Sequence, residues 1–390
     1  MKILYISALA SESRISEVYR KTGDNPGFAV QKFSRLLVKG LQANGANVQV
    51  FSNPPNSLRK LLVSSSNETE KGVCYKYVPY FNIPIIKHLC ILFYTFFYVL
   101  FWGFENKKDK AIICDVLSIS VCIGALLGSK LNGVLNVGVV TDIYGLIAGN
   151  KGFLMGVASK LNSMYVSSFD KYVLLTEQMN DVVNPHDKPY IVMEALCDTS
   201  LSTSEESNVK KVHPRTIVYA GGIHEKYGLK MLAEGFVEAK IEDATLVYYG
   251  NGPYVEEYKE LCTKYSNLEY RGVAENDVVM DEEQKATLLV NPRLSTEELS
   301  KYSFPSKNME YMASGTPLLT TNLPGMPEEY HKYVFLFKEE TVSGYAQAIR
   351  FALSHSESEL NALGCKARQF VLREKNNVVQ GKRVLEMIFS

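Results

Sequence analysis

The chain has 390 residues, 46% apolar and 22% charged, with 42 basic and 42 acidic side chains. That length exceeds one ordinary core and predicts two domains of about 200 residues each. The charge balance excludes a general pull on nucleic acid or an acidic polymer, so any anion site must be local. The seven cysteines (74, 90, 114, 122, 197, 262 and 365) are dispersed and show no C-x-x-C or metal spacing. Such a set reads as reduced thiols in a cytoplasmic protein.

In chain order, the opening MKILYISALASES has one Lys and a short apolar run, as a signal peptide would. The run is too short and too weakly basic for that, and reads as a first buried strand. Asn25-Pro26-Gly27-Phe28-Ala29 precedes an amphipathic helix, and Gly27 lets a substrate lie against backbone on the acceptor side. Apolar strand-like runs recur at 3–7, 48–51, 111–114, 137–140 and 172–175. A second series follows at 216–219, 245–249, 288–291, 318–320 and 334–337. Strands alternating with helices predict parallel sheets built from right-handed crossovers, one for each series. The polar, Ser-rich stretch DTSLSTSEESNVKKVH lacks an apolar period and supplies a linker at 199–213. The N-terminal domain is then 1–198 and the C-terminal domain 214–370, with a last helix over 371–390.

One segment breaks the pattern. Leu89–Phe104, LCILFYTFFYVLFWGF, holds no charged residue and is dense in aromatics. It falls short of the roughly 20 residues a spanning helix needs. With Lys87 and His88 before it and a Lys-rich stretch after it, it suits a helix lying on a membrane surface. A core helix with one protruding face is the other reading.

The residues that carry chemistry lie mainly in the second series. Tyr219-Ala-Gly-Gly-Ile-His-Glu-Lys-Tyr-Gly228 follows a strand and precedes a helical run. Gly222 gives backbone N–H groups close access to a phosphate and Lys226 adds charge, although such glycines also serve packing alone. Gly250-Asn-Gly-Pro253 is a similar turn, read as structural. Arg293 ends the run Asn291-Pro292-Arg293, where ligands of open α/β sheets bind, and offers a planar fork to a diphosphate. Its alternative is a salt bridge to Glu297 or Glu298.

Ser303–Leu319, SFPSKNMEYMASGTPLL, reads as a helix capped by Ser303, with Pro305 in its first turn and Gly315 ending it. Lys307 near the N-terminus opposes the macrodipole by about 0.3–1 kcal/mol, which makes sense where an anion docks. Phe304 and Ser306 share that end, and Glu310, one turn on, accepts hydrogen bonds from hydroxyls. A plain Lys307–Glu310 surface pair is the competing reading. In the first domain, Asp142 ends a buried strand and either orients an acceptor hydroxyl or caps a helix; Tyr144 follows it on the acceptor side. No His or acidic spacing suits a metal, and no D-x-D, G-x-S-x-G or Walker sequence occurs.

Together, YAGGIHEKYG, GNGP and above all FPSKNMEYMASGTPLL make the chain resemble retaining GT-B glycosyltransferases of the family 4 (group 1) type. The resemblance implies an α/β fold of two Rossmann-like doubly wound parallel-sheet domains facing a cleft. It implies that the acceptor binds the first domain and the nucleotide sugar the second, with a C-terminal helix crossing back. Asp142, Lys307 and Arg293 would be catalytic. Gly222, Lys226, Ser303, Phe304, Ser306 and Glu310 would hold the donor, Glu310 through its ribose. No cofactor or metal is expected, the nucleotide sugar being a substrate. Two positions depart from the family pattern: Tyr302 stands where a second Glu is usual, and Gly222 where an Arg is usual. Expected partners are a UDP-sugar and a carbohydrate or lipid-linked acceptor in cell-surface polysaccharide synthesis, at the cytoplasmic face of a membrane. A non-catalytic binding subunit and a sugar-nucleotide epimerase are the alternatives.

Overall fold

The computed structural model describes residues 1–23, 28–53, 61–104, 107–143, 160, 162–202 and 215–390. Two compact units emerge, Met1–Leu196 joined by Asn377–Ser390, and Cys197–Asn376.

Unit 1 contains β1 (Lys2–Ser7), β2 (Asn47–Ser52), β3 (Leu62–Val63), β4 (Ser66–Glu70), β5 (Val73–Tyr77), β6 (Tyr80–Phe81), β7 (Lys110–Asp115), β8 (Leu135–Val140), β9 (Lys171–Leu174) and β10 (Tyr190–Val192). Its main sheet runs β10-β9-β8-β7-β1-β2-β5-β4, while β3 and β6 form a separate pair. All neighbours in the main sheet are parallel except β4, which runs antiparallel on β5 at the edge. The central strands are near-continuous apolar runs because helices cover both faces of a parallel sheet. Those helices are α1 (Glu12–Thr22), α2 (Phe28–Ala43), α3 (Ile86–Trp102), α4 (Ile119–Asn132) and α5 (Gln178–Val183).

Unit 2 contains β11 (Arg215–Gly222), β12 (Ala244–Asn251), β13 (Leu268–Gly272), β14 (Leu288–Asn291), β15 (Leu318–Thr321) and β16 (Phe335–Phe337). Their order is β13-β12-β11-β14-β15-β16, all parallel. Numbered within the unit, that is 3-2-1-4-5-6, the dinucleotide-fold order. Its helices are α6 (Leu229–Ala239), α7 (Val255–Lys264), α8 (Asn276–Lys285), α9 (Ser306–Ser314), α10 (Val342–Leu353) and α11 (Glu357–Glu374). The final helix, α12 (Asn377–Phe389), belongs to unit 1, where Val384, Leu385 and Ile388 join the core with Leu37 and Leu41 of α2.

Every strand expected from an apolar run is present. Six others were not expected: β3, β4, β5, β6, β10 and β13. β4 reads SNETE, a polar edge strand with no apolar period to reveal it. β11 also runs further than its apolar run suggests. Gly221 and Gly222 therefore lie inside the strand, paired with Gly250 and Asn251, and the turn comes later. All seven cysteines are free thiols.

Candidate functional site

In a sheet of this order the connections leave in opposite directions from the two central strands, here β11 and β14, and ligands bind beyond their carboxyl ends. The β11–β14 pairing stops at Val218↔Leu289, after which the two strands part. Tyr311 of α9 fills the gap: its hydroxyl accepts the Ala220 N–H at 2.8 Å and donates to the Ala220 carbonyl at 3.2 Å. One side chain so satisfies both backbone groups that a continued ladder would have paired.

Past β11 the chain makes a short 3-10 turn, Glu225–Tyr227, and enters α6 through Gly228. Gly228 has φ +80, and a Cβ there would lie 2.0 Å from the Pro292 carbonyl oxygen, so this corner of β14 admits only glycine. Gly250 fits the structural reading: its added Cβ would fall 1.9 Å from the Gly221 carbonyl oxygen. Arg293 follows Pro292 and lies over the Tyr227 ring, 5.3 Å from its centroid, with Lys226 Nζ 5.5 Å from the same centroid. The alternative salt bridge to Glu297 or Glu298 does not form, and among the described residues neither cation is paired with a carboxylate. The nearby Glu225 instead faces Lys230 at 3.6 Å. Two cations thus converge on one ring beside the exposed Gly222. The corner behind them is braced: Tyr345 donates to the Pro292 carbonyl at 2.9 Å, and Glu340 accepts the Ser295 N–H at 3.0 Å. A buried chain from Asn291 to Asn308 (2.6 Å) and on to Thr320 (3.3 Å) ties β14, α9 and β15 together.

Helix α9 corrects part of the sequence reading. It begins at Ser306 with Pro305 at the cap position, and no side chain caps it. Ser303 is not the cap; its hydroxyl donates to the Leu299 carbonyl at 2.9 Å, closing the preceding 3-10 turn. Phe304 turns inward, with its ring buried and 5.0 Å from that of Tyr330, so the ring is a packing group. Ser306 is exposed at the first helical position. Gly315 ends the helix in the left-handed region, as expected. Lys307 pairs with Glu310 at 3.0 Å and with the buried Glu283 at 3.8 Å. Burial alone would depress its ammonium, but the Glu310 and Glu283 carboxylates outweigh that and raise its pKa. Its Nζ is 5.8 Å from the Tyr311 ring centroid, which links it through Tyr311 to the end of β11. Tyr302, half-buried, closes the 3-10 turn before α9. Glu283 and the tyrosines at 227 and 311 were not singled out from sequence; an acidic helix and scattered aromatics carry no local signature.

In unit 1, Asp142 lies just beyond β8, half-buried. The residue that sequence reading missed is Asp115, the last of β7, which neighbours β1 where that sheet changes direction. Asp115 is 3% exposed and accepts the Leu117 N–H at 3.2 Å. Burial first, then the charge of Asp142, push its carboxyl up to about 6. Gly27 and Tyr144 lie outside the described residues. Among the described residues no group of three or more His, Cys, Asp or Glu side chains is placed to hold a metal ion.

Known proteins with solved structures resemble this one over its full length. A sucrose-phosphate synthase from Thermosynechococcus elongatus is 13% identical with a TM-score of 0.65, covering 100% of this chain and 99% of that one. The lipopolysaccharide outer core galactosyltransferase WaaB gives 14% identity, a TM-score of 0.65 and the same coverage. Anabaena HepE, solved with UDP and glucose, gives 12% identity, a TM-score of 0.63 and 100% coverage of both chains. These likenesses are of fold: the chain has the two-domain GT-B architecture. Residues 214–355, most of unit 2, match the family model described as Glycosyl transferases group 1. No curated protein sequence matches the chain significantly.

Proposed function

We propose that the protein is a retaining glycosyltransferase that moves a sugar from a nucleotide-sugar donor, UDP-linked in the first instance, to a carbohydrate or lipid-linked acceptor. The observation that carries this reading is the pair Arg293 and Lys226 on Tyr227, at the carboxyl ends of the central strands of unit 2, with no carboxylate to neutralise them among the described residues. A diphosphate satisfies that charge, and Arg293 meets it with two parallel donors. The family match over the same unit supports the donor class.

In this reading Glu310 accepts the ribose hydroxyls, while the uncapped start of α9, at Ser306 and Lys307, adds N–H groups and charge. The bond from the anomeric carbon to the diphosphate breaks as the acceptor oxygen attacks from the same face. The acceptor proton passes to the departing diphosphate, whose charge the cations stabilise. Asp142 orients the acceptor hydroxyl, with Gly27 and Tyr144 on the acceptor side. Transfer proceeds without a metal, in cell-surface polysaccharide synthesis at the cytoplasmic side of a membrane.

The test is a thermal-shift series with UDP, GDP, ADP and their sugar conjugates, since a ligand of the native state alone raises its stability by mass action. UDP release from a UDP-sugar with acceptor present, undiminished by EDTA, is the expected second result. Tyr302, where a second Glu is usual, favours one other reading, a binding subunit without turnover. Strong shifts with no transfer to any acceptor would select it, and no shift with any nucleotide would sink both.

A further inference from the structure

The aromatic segment forms α3, and the structure divides its faces sharply. Ile91, Thr95 and Val99 are fully buried, while Phe93, Phe97 and Phe101 are 55%, 51% and 68% exposed. Side chains two positions apart on a helix point about 200° from one another, so the exposed ring stack lies opposite the buried row. The exposed surface continues onto Phe81 of the β3–β6 pair, Ile85 before α3, and Leu131 of the adjacent α4. More than half of the large apolar side chains that stand exposed among the described residues lie in this one part of unit 1. A patch of that kind marks an interaction surface.

Its charge indicates what covers it. Lys107 and Lys108 follow the C-terminal end of α3, and Lys130 lies in the last turn of α4, all exposed. Lys107 Nζ comes within 4.0 Å of the Cβ position of Gly133, which ends α4, so the lysines gather at one rim of the apolar face. Between residues 78 and 104 Lys87 is the only Lys, Arg, Asp or Glu. A second copy of this surface would have to bury those lysines, which protein interfaces avoid. Anionic headgroups meet them with opposite charge while acyl chains take the rings. The helix is also fixed flat to its unit, with Asn132 donating to the Val99 carbonyl at 2.9 Å and Tyr98 to Gln49 at 3.2 Å. No helix among the described residues is long and apolar enough to cross a membrane.

We propose that α3, with the β3–β6 pair and α4, is a docking face that lies in the plane of an anionic lipid bilayer, phenylalanines inserted and lysines on the headgroups. The proposal stands apart from the sugar-transfer reading, because its test uses no substrate. The full chain is floated with vesicles of phosphatidylcholine alone and with added phosphatidylglycerol. The single tryptophan, Trp102 in the last turn of α3, reports insertion by its emission. The expected result is binding that rises with anionic lipid, falls with salt, and shifts Trp102 emission to the blue. Phe93→Ser with Phe97→Ser, checked for an unchanged thermal melt, should weaken partitioning about tenfold or more. Lys107→Glu with Lys108→Glu and Lys130→Glu should erase the preference for anionic lipid. Wild-type protein that leaves all vesicles unbound and its Trp102 emission unmoved overturns the proposal. So does a stable dimer that the Phe93 and Phe97 changes dissociate, which would assign the face to a second copy.

Discussion

The hydroxyl of Tyr311 stands against the backbone of Ala220, taking its N–H at 2.8 Å and donating to its carbonyl at 3.2 Å. The two residues are 91 positions apart, and the contact locks α9 to the end of β11. Tyr311→Phe removes both bonds and leaves a buried N–H and C=O without a partner. A cost of about 1–3 kcal/mol in unfolding free energy is expected. Urea denaturation measures it, and a change below half of the lower figure would show that water or a strand shift replaces the hydroxyl.

Arg293 and Lys307 should separate under mutation. Arg293 lies over the Tyr227 ring and is paired with no carboxylate among the described residues, so Arg293→Ala should change stability by no more than about 0.5 kcal/mol. Its UDP-induced thermal shift should nonetheless collapse. Lys307 neutralises Glu310 and the buried Glu283, so Lys307→Ala should lower both stability and UDP binding. Identical behaviour of the two variants in melting and binding would refute this division.

Asp115 gives unit 1 a pH dependence of defined sign. Its carboxyl rises from the ordinary 3.8 to about 6, so the folded state binds this proton more tightly than the unfolded chain. That contribution is complete below the unfolded value, is lost as pH climbs through the folded one, and stays absent above it. Asp115→Asn keeps an acceptor for the Leu117 N–H and removes the titration. The variant should be more stable at pH 7 by on the order of 2–3 kcal/mol, with the difference shrinking toward pH 4. Parallel stability curves for the two proteins across that range would show that Asp115 is not the group responsible.

Gly228→Ala tests the corner that carries Arg293. The backbone there has φ +80 and the added methyl would meet the Pro292 carbonyl oxygen at 2.0 Å. The substitution should cost about 1–3 kcal/mol from strain alone. It should also weaken UDP binding, because relief of the clash moves the segment from Pro292 to Arg293. A variant that melts earlier yet binds UDP normally would uncouple the turn from the site.

Strand positions were legible because, apart from the edge strand β4, both large sheets are parallel and covered on each side, so their central strands carry apolar runs such as AIIC in β7 and VGVV in β8. The edge strand SNETE has one face in solvent and gave no such signal. The glycines at 221 and 222 pointed to the right end of the right strand but not to the turn itself, because strand pairing with Gly250 and Asn251 is a tertiary fact. The lysine at 307 was conspicuous for opposing its helix dipole, whereas its second partner Glu283 lies on α8 and no local pattern joins them. Ser303 misled because a serine before a helical run suits either a cap or the close of a preceding turn; the competing carbonyl of Leu299 decided it. Asp115 was hidden by its own strand: a single carboxylate ending an apolar run looks like a turn residue until the neighbouring Asp142 is brought beside it.

The membership of α12 in unit 1 bears on how the protein is made. Unit 1 draws its core from the first half of the chain and from Val384, Leu385 and Ile388, so that core stays incomplete until α12 has been synthesised. Unit 2 is contiguous and has all its strands in hand earlier. During synthesis the later-encoded unit should therefore reach its native state first, reversing the usual N-to-C order of domain folding. A nascent chain stalled short of α12 should show a protease-resistant Cys197–Asn376 core beside a labile N-terminal half.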